Sequence, residues 1–480
     1  MIRAYDVAAV RAAEQVALAD LPEGALMQRA AAGLATAVLA VLADVGRPAY
    51  GARVLLLIGP GDNGGDALLA GARLAARGAR VEAGLAADRA HASGLAALRC
   101  ARGRIVDAVG PADVVVDGLI GIGGRPGLCG RALALVRSVP PSVPVVAVDL
   151  PSAIDPVSGE LAGGHVTPGL TVTFGAAKPA LLLPPACRAA GRVRVVDIGL
   201  TLSQEAAVER LEAADLAARW PVPGADDDKY RRGVLGVVAG GPTYTGAAVL
   251  CTGAAVATGV GMVRYVGPPA PADLVRARWP EVVPGPGRVQ AWLLGPGLDV
   301  EDEDQRAAVA DALAGDLPCV VDAGALDLLP ARRSAPALLT PHAGELTRLL
   351  QARGVDVQRP DVEAAPARYA RLAAELTGAT VLLKGAVTLV VQDGAPVRSQ
   401  ADGPHWLATA GSGDVLAGIA GALLAGGLSP LDAGTLAVAV HGAAGHLASA
   451  GGPVSASSVL AAVPDAVREL LTQRAASGRC

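Results

Sequence analysis

The sequence contains very few aromatic residues: Phe, Trp and Tyr together make up 2% of the 480 residues, although 52% of the chain is hydrophobic. Ala, Gly and Val occupy the positions that larger side chains fill elsewhere, and this favours tightly packed α/β layers. Such an apolar content excludes an intrinsically disordered protein. The length is sufficient for two or three domains, each with its own core.

The chain also lacks any block of positive charge. Its 41 basic and 45 acidic residues give a formal net charge of -4, and the charges are spread along the sequence. Proteins that bind nucleic acid or anionic membranes concentrate Lys and Arg on one surface. We therefore expect neither nucleic acid nor a membrane as a partner, and we expect small anionic ligands to bind at local sites.

Cysteine pairs, a signal peptide and a membrane span are not indicated either. The six Cys are scattered without a C-x-x-C pair, which is typical of reduced thiols. Asp6, Glu14 and Asp20 interrupt the N-terminal segment where a signal peptide requires an apolar run. The apolar stretch 415–428 is shorter than the 18 or so residues that cross a bilayer. These features predict a cytoplasmic protein.

Short β-branched runs alternate with Ala- and Leu-rich helical stretches. Such alternation predicts parallel sheets covered by helices on both faces. The pattern lapses in the polar segment "WPVPGADDDKYRRG" (220–233) and then resumes. We therefore expect two three-layer α/β/α domains, over residues 1–218 and 224–480. The predicted strands lie within 53–59, 80–86, 113–121, 143–151, 192–199, 233–241, 291–298, 318–324, 380–385 and 388–394.

Three strand ends in the first half carry polar residues. "LLLIGPGDNGGDALLAGARLAARG" (55–78) is a buried strand, a glycine-rich turn and a helix, and free N–H groups at such a helix start can hold a phosphate. Asp117 precedes a second glycine-rich loop, and Asp149 and Ser152 follow a third strand. Since parallel strands end at one edge of the sheet, these residues predict a site. The alternatives are a turn without a ligand and acids that only cap helices.

In the second half, "AGSGDVLAGIAGALLAGG" (410–427) places Asp414 behind a glycine-rich turn and before an apolar helix. The turn can hold a phosphoryl group, and Asp414 can act as a general base on an attacking hydroxyl. The competing interpretation is an acid that only stabilises its own helix. Lys384 and Thr388 around a predicted hairpin, and His342 with Glu345 on a strand-to-helix turn, favour a nucleotide site.

These motifs, taken together, resemble a known enzyme family. "GPGDNGGDA", "DGLIGIGGRPG", "VDLPSAIDPVSGE" and "TVTFGAAKPALLL" are similar to the N-terminal domain of NAD(P)H-hydrate epimerases. The second half resembles the ADP- or ATP-dependent NAD(P)H-hydrate dehydratases, and the order of the two is that of bifunctional bacterial repair enzymes. The resemblance implies a Rossmann-like epimerase domain followed by a ribokinase-like dehydratase domain.

The resemblance also assigns residues of the first domain. Asp149 would be catalytic and contact the damaged nicotinamide ring, and Lys178 lies in the motif that closes the pocket. A potassium ion would be bound by Asn63, Asp117 and Ser152. The hydrated dinucleotide would be bound by a turn and a loop, which consist of Asp62, Asn63, Gly64, Gly65, Asp66, Gly121, Ile122, Gly123, Gly124, Arg125, Pro126 and Gly127.

In the second domain the resemblance makes Asp414 catalytic and places it with Ala247, Gly297 and His342 at the hydrated dinucleotide. The adenine nucleotide would contact Lys384, Gly385, Ala386, Val387, Thr388 and Gly413. The chain departs from the family pattern at several positions. These are Asp62 in place of Asn, Ala67, Ala153 and Ala180 in place of Gly, and the segments around Asp299 and Gly324.

The implied function is repair of hydrated NADH and NADPH. The first domain would interconvert the R and S epimers, and the second would phosphorylate the ring hydroxyl of the S epimer and eliminate phosphate. The implied cofactors are ADP, with ATP as the other candidate donor, together with Mg²⁺ and K⁺, and we expect a homo-oligomer. One alternative is a ribokinase-like kinase of a small molecule such as a vitamin precursor. In another, the first domain is a non-catalytic binding module.

Overall fold

The computed structural model describes residues 1–123, 127–161, 163–401 and 403–477. Contacts divide the chain into two compact units. The N-terminal unit consists of Arg3–Val208, and the C-terminal unit consists of Glu209–Cys480 together with Met1–Ile2. Each unit has a sheet of mostly parallel strands with helices packed on it, so the predicted fold class is confirmed.

The N-terminal unit contains a seven-stranded parallel sheet in the order β4-β3-β2-β5-β6-β7-β8. Its strands are β2 (Arg53–Ile58), β3 (Arg80–Leu85), β4 (Arg104–Val106), β5 (Val114–Gly118), β6 (Val145–Val148), β7 (Leu170–Phe174) and β8 (Arg192–Val196). Its helices are α1 (Val7–Asp20), α2 (Ala25–Asp44), α3 (Asp62–Ala76), α4 (Ala92–Cys100), α5 (Gly130–Arg137) and α6 (Ala186–Ala189).

Strand β2 shows why this sheet is a middle layer. Val54, Leu56 and Ile58 pack into one core with α2 and α3, whereas Leu55 and Leu57 pack into a second core with α5. Successive strand side chains point to opposite faces, so a strand that is apolar at every position must be covered on both. The continuous run "VLLLI" therefore requires helices on the two sides of the sheet.

The C-terminal unit contains the sheet β1-β9-β18-β17-β16-β15-β14-β13-β10-β11-β12. Its strands are β1 (Ile2–Ala4), β9 (Val208–Arg210), β10 (Val234–Val238), β11 (Met262–Tyr265), β12 (Val283–Pro284), β13 (Ala291–Leu294), β14 (Cys319–Val321), β15 (Ala337–Leu339), β16 (Thr380–Leu383), β17 (Thr388–Val391) and β18 (Val397–Gln400). The pairings from β12 to β16 are parallel, and β16, β17 and β18 pair antiparallel.

The helices of this unit cover the sheet and one another. They are α7 (Ala213–Arg219), α8 (Thr245–Thr258), α9 (Pro269–Arg278), α10 (Glu303–Ala314), α11 (Ala343–Gln351), α12 (Arg359–Ala364), α13 (Pro366–Thr377), α14 (Ser412–Ala425), α15 (Pro430–Ser449) and α16 (Ala456–Ser477). Helix α14 is apolar on every side because it lies inside the core, where α8 and α15 pack against it.

The division between the units lies at Val208 and Glu209, ten residues before the boundary expected at 218. The reason is a long-range connection to β18. The side chain of Gln400 accepts a hydrogen bond from the N–H of Leu211 at 3.0 Å, and Arg210 Nε donates to the carbonyl of Ser399 at 2.9 Å. The segment before the polar linker therefore belongs to the second sheet.

One helix among the described residues, α2, is long and apolar enough to cross a membrane by length and composition. Half of its apolar window is buried within the protein. Leu34, Val38 and Leu42 pack in the core that α2 shares with the sheet. Burial in a folded core accounts for the apolar character of this helix.

Candidate active sites

The glycine-rich turn of the N-terminal unit leads from β2 into the first turn of α3. Gly61 is the N-cap, and Asp62 to Gly65 form the helix start that was predicted to hold a phosphate. Gly59 is required by a close approach, since a Cβ there would lie 1.8 Å from the carbonyl oxygen of Leu119. The turn is thereby held against the end of β5, where Asp117 lies.

Asp117 and Ser152 form a buried polar pair. The Ser152 hydroxyl donates to Asp117 Oδ1 at 2.6 Å, and the Ser152 N–H donates to Oδ2 at 2.9 Å. Burial raises the pKa of Asp117 to about 6, although the bonds from Ser152 and Leu119 oppose the shift. No lysine or arginine of the described chain forms an ion pair with this carboxylate.

Asn63 lies next to this pair. Its amide nitrogen donates to the carbonyl of Val148 at 2.6 Å, and a Cβ on Gly121 would lie 2.3 Å from its Oδ1. Oxygens from an amide, a carboxylate and a hydroxyl suit a hard cation. A buried carboxylate without a cationic side chain has the charge that such an ion would neutralise. The three residues thus fit the potassium site that the resemblance implies.

Asp149 and Lys178 form a buried ion pair. Lys178 Nζ lies 2.5 Å from Asp149 Oδ1, which also accepts a hydrogen bond from the Thr173 hydroxyl at 2.9 Å. These contacts engage Oδ1, so the other carboxylate oxygen can interact with a substrate. Lys178 is not itself in a helix, and its Nζ is fixed by Thr173 and the Phe174 carbonyl.

The segment from Asp149 to Ala153 is sharply bent. Asp149 has a φ of +67° and Ala153 a φ of +76°, and this left-handed region is unfavourable for Ala. The bend brings Ser152 onto Asp117, and it explains why Gly would be better than Ala at position 153. Ala153 therefore carries strain in the backbone that shapes the proposed cation site.

The second glycine-rich loop is described in part. Gly121 abuts Asn63, and a Cβ on Gly123 would lie 3.2 Å from Arg11 Nη2. Gly127 has a φ of +91°, and its N–H donates to the carbonyl of Ala153 at 3.1 Å. Gly124, Arg125 and Pro126, which were predicted to contact the dinucleotide, lie outside the described residues.

In the C-terminal unit, the turn before α14 forms as predicted. Gly411 is the N-cap with a φ of +84°, and Ser412, Gly413 and Asp414 form the first helical turn. Burial raises the pKa of Asp414 to about 7, the charge of Asp322 adds to the shift, and Lys384 opposes it. A carboxyl group that titrates near neutrality is suited to general-base catalysis.

Lys384 connects the turn to two further acids. Its Nζ lies 2.9 Å from Asp322 Oδ1 and 3.7 Å from Glu345 Oε2, and 3.6 Å from where a Cβ on Gly413 would be. Burial lowers the pKa of Lys384, but the charges of Asp322 and Glu345 outweigh it, and the net shift is upward. A charged ammonium thus lies beside the helix start, where an anionic phosphate would bind.

His342 caps helix α11 and also faces the cavity. It is the N-cap of α11, where Nδ1 accepts a hydrogen bond from the Glu345 N–H at 3.1 Å while Glu345 Oε2 accepts from the His342 N–H at 2.8 Å. Its side chain is 55% exposed and faces the cavity that contains Lys384 and Asp414. Because Nδ1 accepts, the N–H of the neutral ring is on Nε2, which lies 3.5 Å from Glu345 Oε1.

This cavity has a volume of about 750 Å³. The predicted residues among its described lining are His342, Lys384, Gly385, Ala386, Thr388, Gly413 and Asp414. Val387 is not among them, and its side chain is buried. Two other predicted residues are not among the described lining: Ala247 in the first turn of α8 and Gly297 after β13 lie together, and a Cβ on Gly297 would be 2.7 Å from Ala247 Cβ. The adjoining Gly295 abuts the carbonyl of Asp322.

Sequence reasoning assigned no function to several residues of the cavity. The buried His441 on α15 has Nε2 3.0 Å from the Ser412 hydroxyl, and burial lowers the pKa of His441 to about 4. Asp322 accepts hydrogen bonds from Lys384 and from the Thr340 hydroxyl at 2.8 Å. The segment that contains His405 and Leu407 adds another wall. No local motif connects these positions to the turn at 411–414.

A site made only of protein ligands for a divalent ion is not found among the described residues. Magnesium in nucleotide sites is commonly held by substrate phosphates, waters and one or two carboxylates. Asp322 and Glu345 lie in the cavity with the turn that would hold a phosphate. The donor set therefore fits Mg²⁺ that arrives with a nucleotide.

Comparison with known proteins identifies two family segments. Residues 23–180 match the family described as YjeF-related protein N-terminus, and residues 235–462 match the NAD(P)H-hydrate dehydratase family. The C-terminal fold is similar to the ADP/ATP-dependent NAD(P)H-hydrate dehydratase of Bacillus subtilis, co-crystallised with ATP and Mg²⁺. That comparison has a TM-score of 0.50 and 26% identity, and it covers 55% of this chain and 99% of that one.

Relatives with both segments cover almost the whole chain. The bifunctional NAD(P)H-hydrate repair enzyme Nnr of Mycobacterium leprae is 48% identical over 93% of this chain and 94% of its own length. The enzyme of the same name from Mycobacterium tuberculosis is 49% identical over 88% of this chain and 89% of its own. With an epimerase domain followed by a dehydratase domain, the chain belongs to the family of bifunctional NAD(P)H-hydrate repair enzymes.

Proposed function

We propose that the two units repair hydrated NADH and NADPH in succession. The N-terminal unit interconverts the R and S epimers, and the C-terminal unit dehydrates the S epimer with ADP or ATP as phosphoryl donor. The observation that carries this proposal is the placement of Asp414 in the first turn of α14, in one cavity with Lys384 and Asp322. A base, a cation and free helix N–H groups meet there, as phosphoryl transfer requires.

In the dehydration, Asp414 takes the proton of the ring hydroxyl while the hydroxyl oxygen attacks the terminal phosphorus of the nucleotide. The N–H groups at the start of α14 and the Lys384 ammonium stabilise the negative charge on the phosphoryl oxygens. Phosphate then leaves with the electron pair of the carbon–oxygen bond, and loss of a ring proton restores the double bond of NADH or NADPH. Phosphorylation makes the departure possible because hydroxide is a poor leaving group.

Two ions complete the proposal. When bound with the nucleotide, Mg²⁺ supplies positive charge that screens the phosphates, and Asp322 and Glu345 are the carboxylates placed to hold its hydration shell. At the other site, Asn63, Asp117 and Ser152 would hold K⁺, whose charge offsets the buried carboxylate. This charge also compensates for Asp62, which adds a carboxylate to the dinucleotide-binding turn.

In the epimerisation, the carboxylate of Asp149 acts on the hydroxyl of the hydrated ring. Its Oδ1 is held by Lys178 and Thr173, which leaves Oδ2 for the substrate. The turn at Asp62–Asp66 and the loop at 121–127 would bind the same dinucleotide. The family's N-terminal segment covers both features.

A single assay tests the proposal. Mixed epimers of NADH hydrate are incubated with the protein and with ADP, with ATP or without nucleotide, and recovery of the reduced-ring absorbance is followed. We expect complete recovery with one of the nucleotides and none without. NADPH hydrate in a parallel series determines the preference between the two substrates. Accumulation of a stable phosphorylated product would instead indicate a small-molecule kinase.

Oligomeric state and localisation remain predictions. We propose a homo-oligomer that acts in the cytoplasm, where its dinucleotide substrates arise. Light scattering coupled to gel filtration, with and without nucleotide, measures the mass of the assembly. Fractionation of cells that produce the full chain tests the localisation.

A further inference from the structure

Asp66 is a buried acid in the N-terminal unit for which hydrogen bonding gives no structural role. It lies in the second turn of α3, its side chain is 7% exposed, and its Oδ1 is enclosed without a hydrogen-bond partner. It shares a helix face with Asp62 and Asn63, four and three residues earlier. Asn63 reaches the carbonyl of Val148, the residue before Asp149, so this face is turned toward the end of β6.

Charged groups from several elements act on Asp66. Asp149 and Lys178 follow β6 and β7, Glu14 is on α1 and Asp62 is on the same helix as Asp66. Burial raises the pKa of Asp66 well above its usual value, the charges of Asp149, Asp62 and Glu14 add to the shift, and Lys178 opposes it. Lys178 is already paired with Asp149. Its surroundings therefore favour the protonated form of Asp66, and its enclosed Oδ1 has no donor that would stabilise the charged form.

His91 is a further ionisable group beside α3. It is the N-cap of α4, and a Cβ on Gly65 would lie 2.9 Å from its ring. Its Nδ1 accepts a hydrogen bond from the Gly94 N–H at 3.4 Å, so the ring is oriented by its own helix. His91 therefore packs on the neighbouring face of α3 and does not satisfy the Asp66 carboxyl.

We propose that Asp66 is the proton donor of the epimerase site and that Asp149 is the proton acceptor. This inference rests on the proposed epimerase function of the unit. Two carboxyl groups in opposite protonation states are a common means of running acid and base chemistry at one pH. The carboxyl of Asp66 has no protein partner at Oδ1, and the contacts of Asp149 engage its Oδ1, so these two carboxyl groups are the ones that a substrate would engage.

The step follows from the chemistry of the hydrate. Water adds to the ring carbon that is bonded to nitrogen, so this carbon carries both a hydroxyl group and the ring nitrogen. Asp149 takes the hydroxyl proton as a carbonyl bond forms, the carbon–nitrogen bond breaks with its electron pair on nitrogen, and Asp66 gives its proton to that nitrogen. Rotation of the carbonyl and reversal of the step close the ring with the opposite configuration.

The test is Asp66→Asn, assayed with the purified R epimer and with the phosphoryl donor, so that the variant's own C-terminal unit consumes the S epimer as it forms. Asn preserves the size and polarity of the side chain but has no acidic proton. We expect epimerisation to fall about a hundredfold or more, as is typical for the loss of a general acid. Dehydration of the S epimer by the same preparation should be unchanged, because the proposed residues of that step lie in the other unit. Epimerisation at the wild-type rate would overturn the proposal.

Glu14→Gln is the matched control. It removes an acid from the same group of charges, but Glu14 is on α1 and is only half-buried. We expect its epimerase rate to stay within about threefold of the wild-type rate, because general acid catalysis is lost only when the proton donor itself is removed. If Glu14→Gln lowers the rate as much as Asp66→Asn, the effect is one of charge and Asp66 is not the donor.

Two measurements remain informative if Asp66→Asn is poorly active for structural reasons. The wild-type epimerase rate should decline with rising pH once Asp66 ionises, and a rate that rises without decline through pH 10 would contradict the proposal. Asp66→Asn should raise Tm at pH 8 but not at pH 4. At pH 8 the unfolded wild type has an ionised Asp66, and folding must either protonate this acid or bury its charge, which costs stability. Asn carries no such cost, and at pH 4 the wild type carries little of it. An unchanged Tm at pH 8 would also contradict it.

Failure of the proposed function would look different. A wild-type protein that does not consume the R epimer under any condition has no epimerase activity, and the proposed role of Asp66 would then be wrong as well. If the wild type epimerises and Asp66→Asn does so equally well, only the donor assignment is wrong.

Discussion

At the scale of single residues, the chemistry of the C-terminal unit depends on how one carboxyl group is buried. Asp414 begins an apolar helix, and burial together with Asp322 brings its pKa to about 7 despite the nearby Lys384. A solvated Asp would be a weak base at neutral pH. The same helix that excludes water from Asp414 also supplies the N–H groups for the phosphate, so base and phosphate site arise from one element.

We predict that Asp414→Asn abolishes nucleotide-dependent dehydration while nucleotide binding and the fold survive. Asn matches Asp in size and polarity in the first turn of α14, but it cannot accept the hydroxyl proton. The loss should be about a hundredfold or more. It is measured as recovery of reduced-ring absorbance from the S epimer, and epimerisation on the same preparation is the control. Near-wild-type dehydration would mean that Asp414 only stabilises the start of its own helix.

The pH dependence of dehydration gives a second prediction for Asp414. The base must be ionised, so the rate should rise with pH up to about 7 and then level off.

The stability of the fold should change with pH in the opposite direction. The pKa of Asp414 is raised in the folded protein, so between about pH 4 and 7 the unfolded chain binds fewer protons than the folded one. The free energy of unfolding therefore falls as the pH rises over that range. At pH 8 Asp414→Asn should therefore be at least as stable as the wild type, which thermal melts can check.

In the N-terminal unit we predict that Asp149→Asn stops enzymatic consumption of the R epimer and leaves dehydration of the S epimer intact. The neutral amide cannot take the hydroxyl proton, and it also leaves Lys178 without its ionic partner. The measurement follows the R epimer by chromatography against its spontaneous epimerisation. If the R epimer still disappears at the wild-type enzymatic rate, Asp149 serves only the bend at the end of β6.

The sequence allowed these two acids to be found because each follows a strand or a glycine-rich turn. Other residues of the sites could not be found in this way. Ser412 and His441 are 29 positions apart, and only the packing of α14 against α15 brings them together. Asp66 was included in the dinucleotide-binding turn, but its unpartnered oxygen depends on how α2, α4 and the sheet enclose α3.

At the scale of elements, the predicted strands were recognised by their β-branched runs, and all ten runs contain strands in the structure. All the missed strands except β7 have at most four residues. Strand β18 contains Arg398, Ser399 and Gln400, and it is held by antiparallel pairing with β17. Strand β9 has three residues, and β18 lies about 190 positions further along the chain. Local patterns carry no information about such distant partners, so the division at Val208 was not predicted.

The turn between β2 and α3 gives a prediction at this scale. Gly59→Ala should destabilise the N-terminal unit by about 3 kcal/mol, because the new Cβ meets the backbone carbonyl of Leu119, which cannot move aside as a flexible side chain would. Gly163→Ala is the control, since Gly163 has no atom within 4 Å of an added Cβ and no positive φ. Denaturant unfolding of both variants measures the difference. Equal stabilities would mean that the turn is free to shift.

At the scale of the whole molecule, two units each have their own sheet and core. The two proposed reaction steps are divided between these units. A dehydratase that takes only the S epimer would leave half of a mixed pool unrepaired, whereas an epimerase on the same chain converts the remainder. Because the proposed catalytic residues of each step lie within one unit, the two activities should respond separately to damage in either core.

Arg333→Met tests this separation. Arg333 is buried at the end of α10, where its guanidinium donates to the carbonyls of Leu313, Gly315 and Leu317. Met fills a similar volume but leaves these carbonyls without their donor, which should cost about 2 kcal/mol. For a unit of this size we expect the C-terminal melting transition to fall by about 4–8 °C. The transition of the N-terminal unit should stay in place.

The adjacent Arg332 provides the matched control for this last prediction. Its side chain is exposed and bonds to the carbonyl of Glu375, so Arg332→Met should change stability by no more than about 0.5 kcal/mol. Calorimetry resolves the two transitions, and residual activity after heating assigns them: dehydration of the S epimer reports on the C-terminal unit, and consumption of the R epimer on the N-terminal unit. If Arg333→Met lowers the heat resistance of both activities equally, the units unfold as one body and the separation is wrong.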